Sequence, residues 1–315
     1  MSVFNEDLYK GSLKSIEGGG LGFEIQAMSE FLKLHSGRVR SPHIQDFYQI
    51  LWFKSGTGKH SVDFHQYDVF ENALFFIGKN QVQCFDDYPD YEGFVISFDE
   101  EYMVLRENEV DFSLKSSFFN NPYQRPSVCV GSGWEYKLDE YISQMRIEIA
   151  ESRGYGKEDL LRFYIRAFLI QVQRRKNELE EASEHYAPYV VDEKRRQLIR
   201  FVNLVEEKYA LHLQTREYAD LLNISPRTLS GLTLSLLGKA PSQMIQERII
   251  LEAKRLLLYS DCQVKQIADK LGFEDPAYFV RYFRKHLALS PMEFRMNFQY
   301  VQLIFIFVQL MILFT

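Results

Sequence analysis

The sequence predicts an α+β chain: a β-rich N-terminal part followed by two helices, then an all-α C-terminal part. Three observations predict it. Short aromatic and β-branched runs broken by turn formers fill residues 20–130. A helical period sets in near Trp134. From Glu193 to Arg295 almost every segment keeps that period. The chain has 315 residues, 46% hydrophobic and 25% charged, which is globular composition with room for about two domains. It excludes a collagen, a disulfide scaffold and a disordered chain.

The β-rich part rests on residues 47–53 (FYQILWF), on the runs from Val69-Phe70 to Phe76-Ile77, and on residues 94–98 (FVISF). Turn formers at 55–58, 78–80 and 86–89 separate them, the spacing of a sandwich or barrel. A helix is expected over 135–151, where Leu138, Tyr141, Ile142, Met145 and Ile149 share one face. A second fits 157 to about 181, with Leu160, Leu161, Tyr164, Ile165, Phe168, Leu169 and Val172. These two helices could pack on the β part or pair with a second copy. Residues 183–192, with Pro188, read as a linker. The expected organisation is 1–182, a linker 183–192, 193–296, and an apolar tail 297–315.

Charge divides the same way. Residues 193–296 hold 17 Lys and Arg against 12 Asp and Glu, whereas residues 1–192 hold 20 against 31. A basic part joined to an acidic part points to two tasks, with the basic part facing a polyanion. The three cysteines, Cys84, Cys129 and Cys262, are scattered and form no CxxC pair. That argues against a zinc cluster and fits a reducing, cytoplasmic setting. Residues 1–10 contain no apolar run, so no secretory signal is expected.

The informative stretch is 215–237. Residues 217–222 (EYADLL) read as a short helix, and Asn223 as a residue suited to the left-handed turn that ends one. Ile224 then turns inward, Ser225 caps and Pro226 opens a second helix, with Leu229, Leu232, Leu236 and Leu237 as its buried stripe. The same grammar returns about fifty residues later: a helix over 267–271 (IADKL), Gly272, Phe273, Asp275-Pro276, and a stripe of Phe279 and Phe283. Each copy reads as helix, tight turn, helix. A long helix expected over about 242–259 would join them, spanning roughly 27 Å at 1.5 Å per residue. That compares with about 34 Å between successive major-groove faces.

Residues 195–295 resemble the DNA-binding domain of AraC/XylS-type bacterial transcription regulators. The carriers are EYADLL at 217–222, SPRTL at 225–229, LGKAP at 237–241, Glu247-Arg248, AKRLL at 253–257, Ile267-Ala268, LGF at 271–273, YF at 278–279, RYFRKH at 281–286, Pro291 and Phe294-Arg295. The resemblance implies a seven-helix reader of double-stranded DNA with two helix-turn-helix motifs. In the second motif, Ala277, Val280, Arg281, Arg284 and Lys285 are expected on the DNA-facing side, since Arg can pair with guanine or contact phosphate. In the first motif the polar outer residues are Arg227, Thr228 and Ser230. Gly231 stands where the family has a basic residue, as do Leu234-Ser235, so weaker base reading is expected there. Gln263 replaces a Ser or Thr cap, and Leu287-Ala288 replace Thr-Gly.

The N-terminal part resembles the cupin-like sensor domain found in the same family. Ser41-Pro42-His43 sits where a cupin's first metal motif would, but Gln45 and Gln83 stand where further histidines are expected, and His60 and His65 lack compensating spacing. No metal and no cofactor is therefore expected, although such a fold can hold a small ligand in its mouth. No catalytic pattern is present either. GTGK at 56–59 lacks the remaining P-loop residues, GGGLG at 18–22 precedes no clear helix, and neither HExxH nor GxSxG occurs.

The expectation is a cytoplasmic, non-enzymatic, sequence-specific DNA-binding transcription regulator. Its β part would take a small-molecule effector, its two helices would form a homodimer, and RNA polymerase is a further partner to consider. Two alternatives stay open. One is a metal-free small-molecule-binding cupin protein with a degenerate DNA-binding domain. The other is a membrane-tethered interaction protein, because residues 298–315 are uncharged and apolar, near the length of about 20 that a span needs.

Overall fold

The computed structural model describes residues 10–11, 13, 22–35, 39–86, 90–103, 114–115, 117–119, 125–151, 154–181 and 193–297. The chain divides into two compact units, Leu8–Ile199 and Arg200 onward. The linker expected at 183–192 and the tail after residue 297 lie outside the described residues. The division falls within the helix Glu193–Lys208, whereas the sequence placed it ahead of that helix.

The N-terminal unit is built on two antiparallel sheets. Strands β2 (Phe23–Ala27), β4 (Tyr48–Ser55), β7 (Ala73–Ile77), β9 (Glu92–Phe98) and β10 (Ser127–Cys129) form a five-stranded sheet in the order β10-β7-β4-β9-β2. Strands β5 (Gly58–Val62), β6 (His65–Val69) and β8 (Gln83–Phe85) form a three-stranded sheet, with β5 in the middle. The short strands β1 (Lys10–Gly11) and β3 (Ile44–Gln45) pair in parallel.

The period of two decides which side chain serves which core. Tyr48, Ile50 and Trp52 of β4 face a core shared with the helices α2 (Glu135–Ala150) and α3 (Lys157–Glu181). Leu51 and Phe53 face the opposite core, with Val62, Val69 and Phe85 of the small sheet. The central strands are therefore buried on both sides, which is why β4 and β7 read as continuous apolar runs rather than alternating ones. The helical pair takes the first of the two roles open to it: Leu138, Ile142 and Met145 of α2 and Leu161, Ile165, Phe168, Leu169 and Val172 of α3 are buried against the large sheet.

One element was not legible. Helix α1 (Met28–Leu34) interrupts the stretch expected to be all strands. It buries Met28, with Phe31 and Leu32 half-buried on the same core. Seven residues supply too few turns for a helical period to show against the surrounding aromatic runs.

The C-terminal unit is all-helical among its described residues: α4 (Glu193–Lys208), α5 (Thr215–Leu221), α6 (Pro226–Leu237), α7 (Pro241–Tyr259), α8 (Val264–Lys270), α9 (Pro276–Leu287) and α10 (residues 291–297). Phe201, Tyr218, Leu229, Ile249, Ala253, Ile267, Phe279 and Phe283 are buried within it. Arg248 of α7 is buried too. Its guanidinium makes a bidentate contact with Glu206 and reaches Glu252 at 3.0 Å, while stacking over Tyr209 at 4.1 Å. Burial alone would disfavour the charge, but the carboxylates outweigh it and raise the Arg248 pKa.

Candidate nucleic-acid interface

Each helix-turn-helix is made by local rules acting twice. Helix α5 begins with the Glu217 carboxylate accepting the backbone N–H of Gln214 at 2.7 Å, and α8 begins with Gln266 Oε1 accepting that of Gln263 at 2.7 Å. The glutamine that replaces the expected Ser or Thr cap thus retains the reciprocal half of a capping box. Both helices end in the same pair of backbone bonds. Asn223 N–H donates to Asp220 O and Ile224 N–H to Ala219 O; Gly272 N–H donates to Asp269 O and Phe273 N–H to Ala268 O. This is a Schellman ending, and it needs a left-handed residue, supplied by Asn223 at φ 56° and Gly272 at φ 80°.

The two recognition helices start alike. Ser225 Oγ accepts from Thr228 N–H at 3.0 Å, Asp275 accepts from Ala277 and Tyr278 N–H at 2.9 and 3.1 Å, and proline follows in both. They also end alike, on a left-handed residue: Gly238 at φ 66° after α6 and Ala288 at φ 60° after α9. Helix α5 starts two residues before the sequence placed it and α8 three before, because the capping side chains lie upstream of the first apolar position.

Both helices have 12 residues, so they superimpose position by position. Leu229 and Thr233 of α6 and Phe279 and Phe283 of α9 are buried at matching positions. This corrects the expected stripe of α6: Leu236 is 36% exposed, and Thr233 takes the inward place. The threonine hydroxyl is accommodated by donating to Ser230 O at 3.3 Å.

The expected DNA-facing residues fall on the outer side of both helices. In α9, Ala277, Arg281, Arg284 and Lys285 are exposed and Val280 is half-buried. Arg281 lies 3.6 Å from Asp275 and 5.9 Å from the ring centre of Tyr278, which is itself exposed and was not singled out by sequence. Its position three residues before Arg281 is the signal that marks it. In α6, Arg227 and Thr228 are exposed and Ser230 is half-buried. Where α9 carries Arg281, Arg284 and Lys285, α6 carries Gly231, Leu234 and Ser235, all exposed.

Helix α7 joins the motifs, with Met244, Ile245, Ile249, Ile250, Ala253 and Leu257 buried. Lys239, just before it, pairs with Glu247 at 2.8 Å. At its far end Arg295 donates to Leu257 O at 2.7 Å and Cys262 O at 2.8 Å, closing the carbonyl end of α7. His286 Nε2 sits 3.2 Å from Gln246 Oε1 and His212 Nε2 donates to Leu271 O at 2.8 Å, so α9 is tied to α7 and the α8 turn to the segment before α5.

The positions where a cupin would hold metal are occupied otherwise. Gln45 and Gln83 both donate to Gln49 Oε1 at 2.8 Å, and Gln49 donates to Ser97 Oγ at 3.1 Å. His60 Nε2 lies 3.2 Å from Gln83 Oε1, among Phe53, Phe75 and Phe85. Burial, with His43 nearby, lowers the His60 pKa to about 3, so the ring is neutral at physiological pH. Among the described residues no three His, Cys, Asp or Glu side chains converge as a metal site would need. The amides instead tie the two sheets together through a buried polar chain.

Comparison with known proteins agrees with this geometry. A helix-turn-helix domain family matches residues 218–297. The transcriptional activator RhaS of Mannheimia succiniciproducens is 23% identical over 257 residues, 80% of this chain and 88% of that protein. The HTH-type transcriptional regulator YijO of Escherichia coli K12 is 34% identical over 94 residues, 30% of this chain and 33% of that protein. Among solved structures, an AraC-type regulator from Chromobacterium violaceum is 28% identical, covering 33% of this chain and 92% of that one, with a TM-score of 0.30. Its relatives are regulators rather than enzymes, and no helix among the described residues is long and apolar enough to cross a membrane. With two helix-turn-helix motifs of matching construction and a regulator relative that aligns along most of its length, the chain is a DNA-binding transcription regulator similar to the AraC/XylS type.

Proposed function

We propose that the second motif carries most of the base reading and the first contributes a smaller share. The observation that carries this reading is the pairing of two equally exposed helix faces with unlike chemistry: Arg281, Arg284 and Lys285 on α9 against Gly231, Leu234 and Ser235 on α6. Arg281 and Arg284 would pair with guanine edges or phosphates, Ala277 and Val280 would lie against the groove floor, and Lys285 would contact phosphate. In the first motif Arg227 is the cation, with Thr228 and Ser230 beside it.

In this reading the β unit takes a small-molecule signal and the chain acts as a homodimer in the cytoplasm, with RNA polymerase as a partner at the promoter. Support for the dimer comes from α2 and α3, whose faces turned away from the sheet expose Ile147, Leu160 and Phe163. An effector would act by binding one state of the dimer more tightly than the other.

The test is selection of the full chain against random duplex DNA, repeated across salt concentrations. An enriched motif with one strong guanine-containing patch and one weaker patch about a helical turn away is the expected result. Binding that follows salt steeply and prefers no sequence would overturn it, leaving electrostatic attraction alone.

A further inference from the structure

The outer face of α6 is not merely a depleted version of the α9 face, because its own chemistry suits a different feature of DNA. Two of its hydroxyls are engaged locally. Thr228 Oγ1 lies 2.8 Å from Ser225 Oγ, and Ser235 Oγ donates to Leu232 O at 3.1 Å. With that hydroxyl engaged, the methyl is the apolar group the exposed Thr228 side chain carries. Leu234 is 53% exposed at the position matching Arg284. Between them Gly231 presents no side chain, and nothing lies within 4 Å of where a Cβ would be. Thr228, Gly231 and Leu234 recur at three-residue spacing, so they lie side by side on the helix surface.

We propose that the first motif reads thymine 5-methyl groups in the major groove through the Thr228 methyl and Leu234, with Gly231 letting the α6 backbone close on the base edges. The thymine methyl is the one apolar feature of the major-groove code, and apolar side chains are what recognise it. The face occupies the helix positions that correspond to the cationic face of α9 in the second motif. The two motifs would then read by different means, thymine methyls by α6 and guanine or phosphate by α9. This rests on the reading above that both motifs dock on DNA.

Deoxyuridine in place of thymine removes only the methyl and tests the inference directly. The full chain is titrated against its selected duplex, with deoxyuridine placed in one patch or the other. The expected result is a loss of about fourfold in affinity per methyl in the α6 patch, the worth of one buried methylene-sized group, and a smaller loss in the α9 patch. In Leu234→Ala and Thr228→Ser the deoxyuridine penalty should shrink towards nothing at the corresponding thymine, with thermal unfolding unchanged because both positions are exposed. Leu234→Arg should replace the methyl sensitivity with a steeper salt dependence, by about one unit of slope.

Sequence-specific binding that ignores deoxyuridine in the α6 patch overturns the inference and leaves the division of labour standing. So does a penalty that persists undiminished in both variants. Unchanged DNA affinity in Leu234→Ala, with lost transcriptional output, also overturns it and assigns the face to a protein partner. Absence of any sequence preference removes the reading beneath it as well.

Discussion

The two recognition helices share length, caps and buried positions, and they differ in the face left over. Helix α9 presents Arg281, Arg284 and Lys285; α6 presents Gly231, Leu234 and Ser235 at the same places. The comparison separates two things that a motif match merges. The scaffold depends on caps, on a left-handed turn and on the inward residues, all of which both copies retain. DNA reading depends on outward residues that the scaffold does not constrain, and those have diverged.

The sharpest way to break the likeness of the scaffolds is at the turn. A Cβ on Gly272 would overlap the Ala210 carbonyl oxygen, and the residue sits at φ 80°. Gly272→Ala should therefore cost about 3 kcal/mol or more in denaturant unfolding of the C-terminal unit. The matching residue of the first motif, Asn223, adopts φ 56° with an ordinary side chain, so Asn223→Gly should change stability by less than about 1 kcal/mol. Equal effects at the two positions would mean that the Ala210 carbonyl does not set the cost of a side chain at Gly272.

The difference in reading is tested next. Arg281→Ala should weaken binding to the selected site by about 1–3 kcal/mol and relax preference at the base it faces. Arg227→Ala should instead weaken binding evenly across sequences and lower the salt slope by about 1. A change of base preference in Arg227→Ala, measured by repeating the selection, would shift base reading back to the first motif.

Smaller effects sharpen the contrast at the helix interiors and ends. Gly231→Ala fills open space in a helix interior and should stabilise the unit by about 1 kcal/mol in thermal unfolding, while weakening DNA binding if the backbone approach matters. Ala288 adopts φ 60° where its counterpart is Gly238. Ala288→Gly should stabilise by up to about 1 kcal/mol, and Gly238→Ala should cost a similar amount, both read as shifts in the unfolding midpoint.

Much of this site could be read from residues alone. The caps Ser225 and Asp275, the prolines after them, the terminators Asn223 and Gly272 and the second helix of the N-terminal pair all follow from short-range rules, since a cap or a turn is decided within a few residues. The outward placement of Arg281, Arg284 and Lys285 follows from the inward placement of Phe279 and Phe283 three or four residues away. Leu236 was misjudged for a related reason. On a leucine-rich helix the hydrophobic pattern has no unique phase, so the inward stripe could be drawn through Leu236 as easily as through Thr233.

What the sequence by itself determined was the order of elements, the duplicated motif and the class of partner, because periodicity, capping chemistry and charge are local or additive. Tertiary structure alone decided three further matters. It set the inner faces of the two helices α2 and α3 against the large sheet. It joined Gln45 and Gln83 to Gln49, and Gln49 to Ser97, in a buried hydrogen-bonded chain that no linear spacing specifies. It also made Arg248 a buried partner of Glu206 and Glu252 instead of another surface cation. Each depends on residues far apart in the chain becoming neighbours, and a buried polar group finds its partners only once the surrounding core has excluded water.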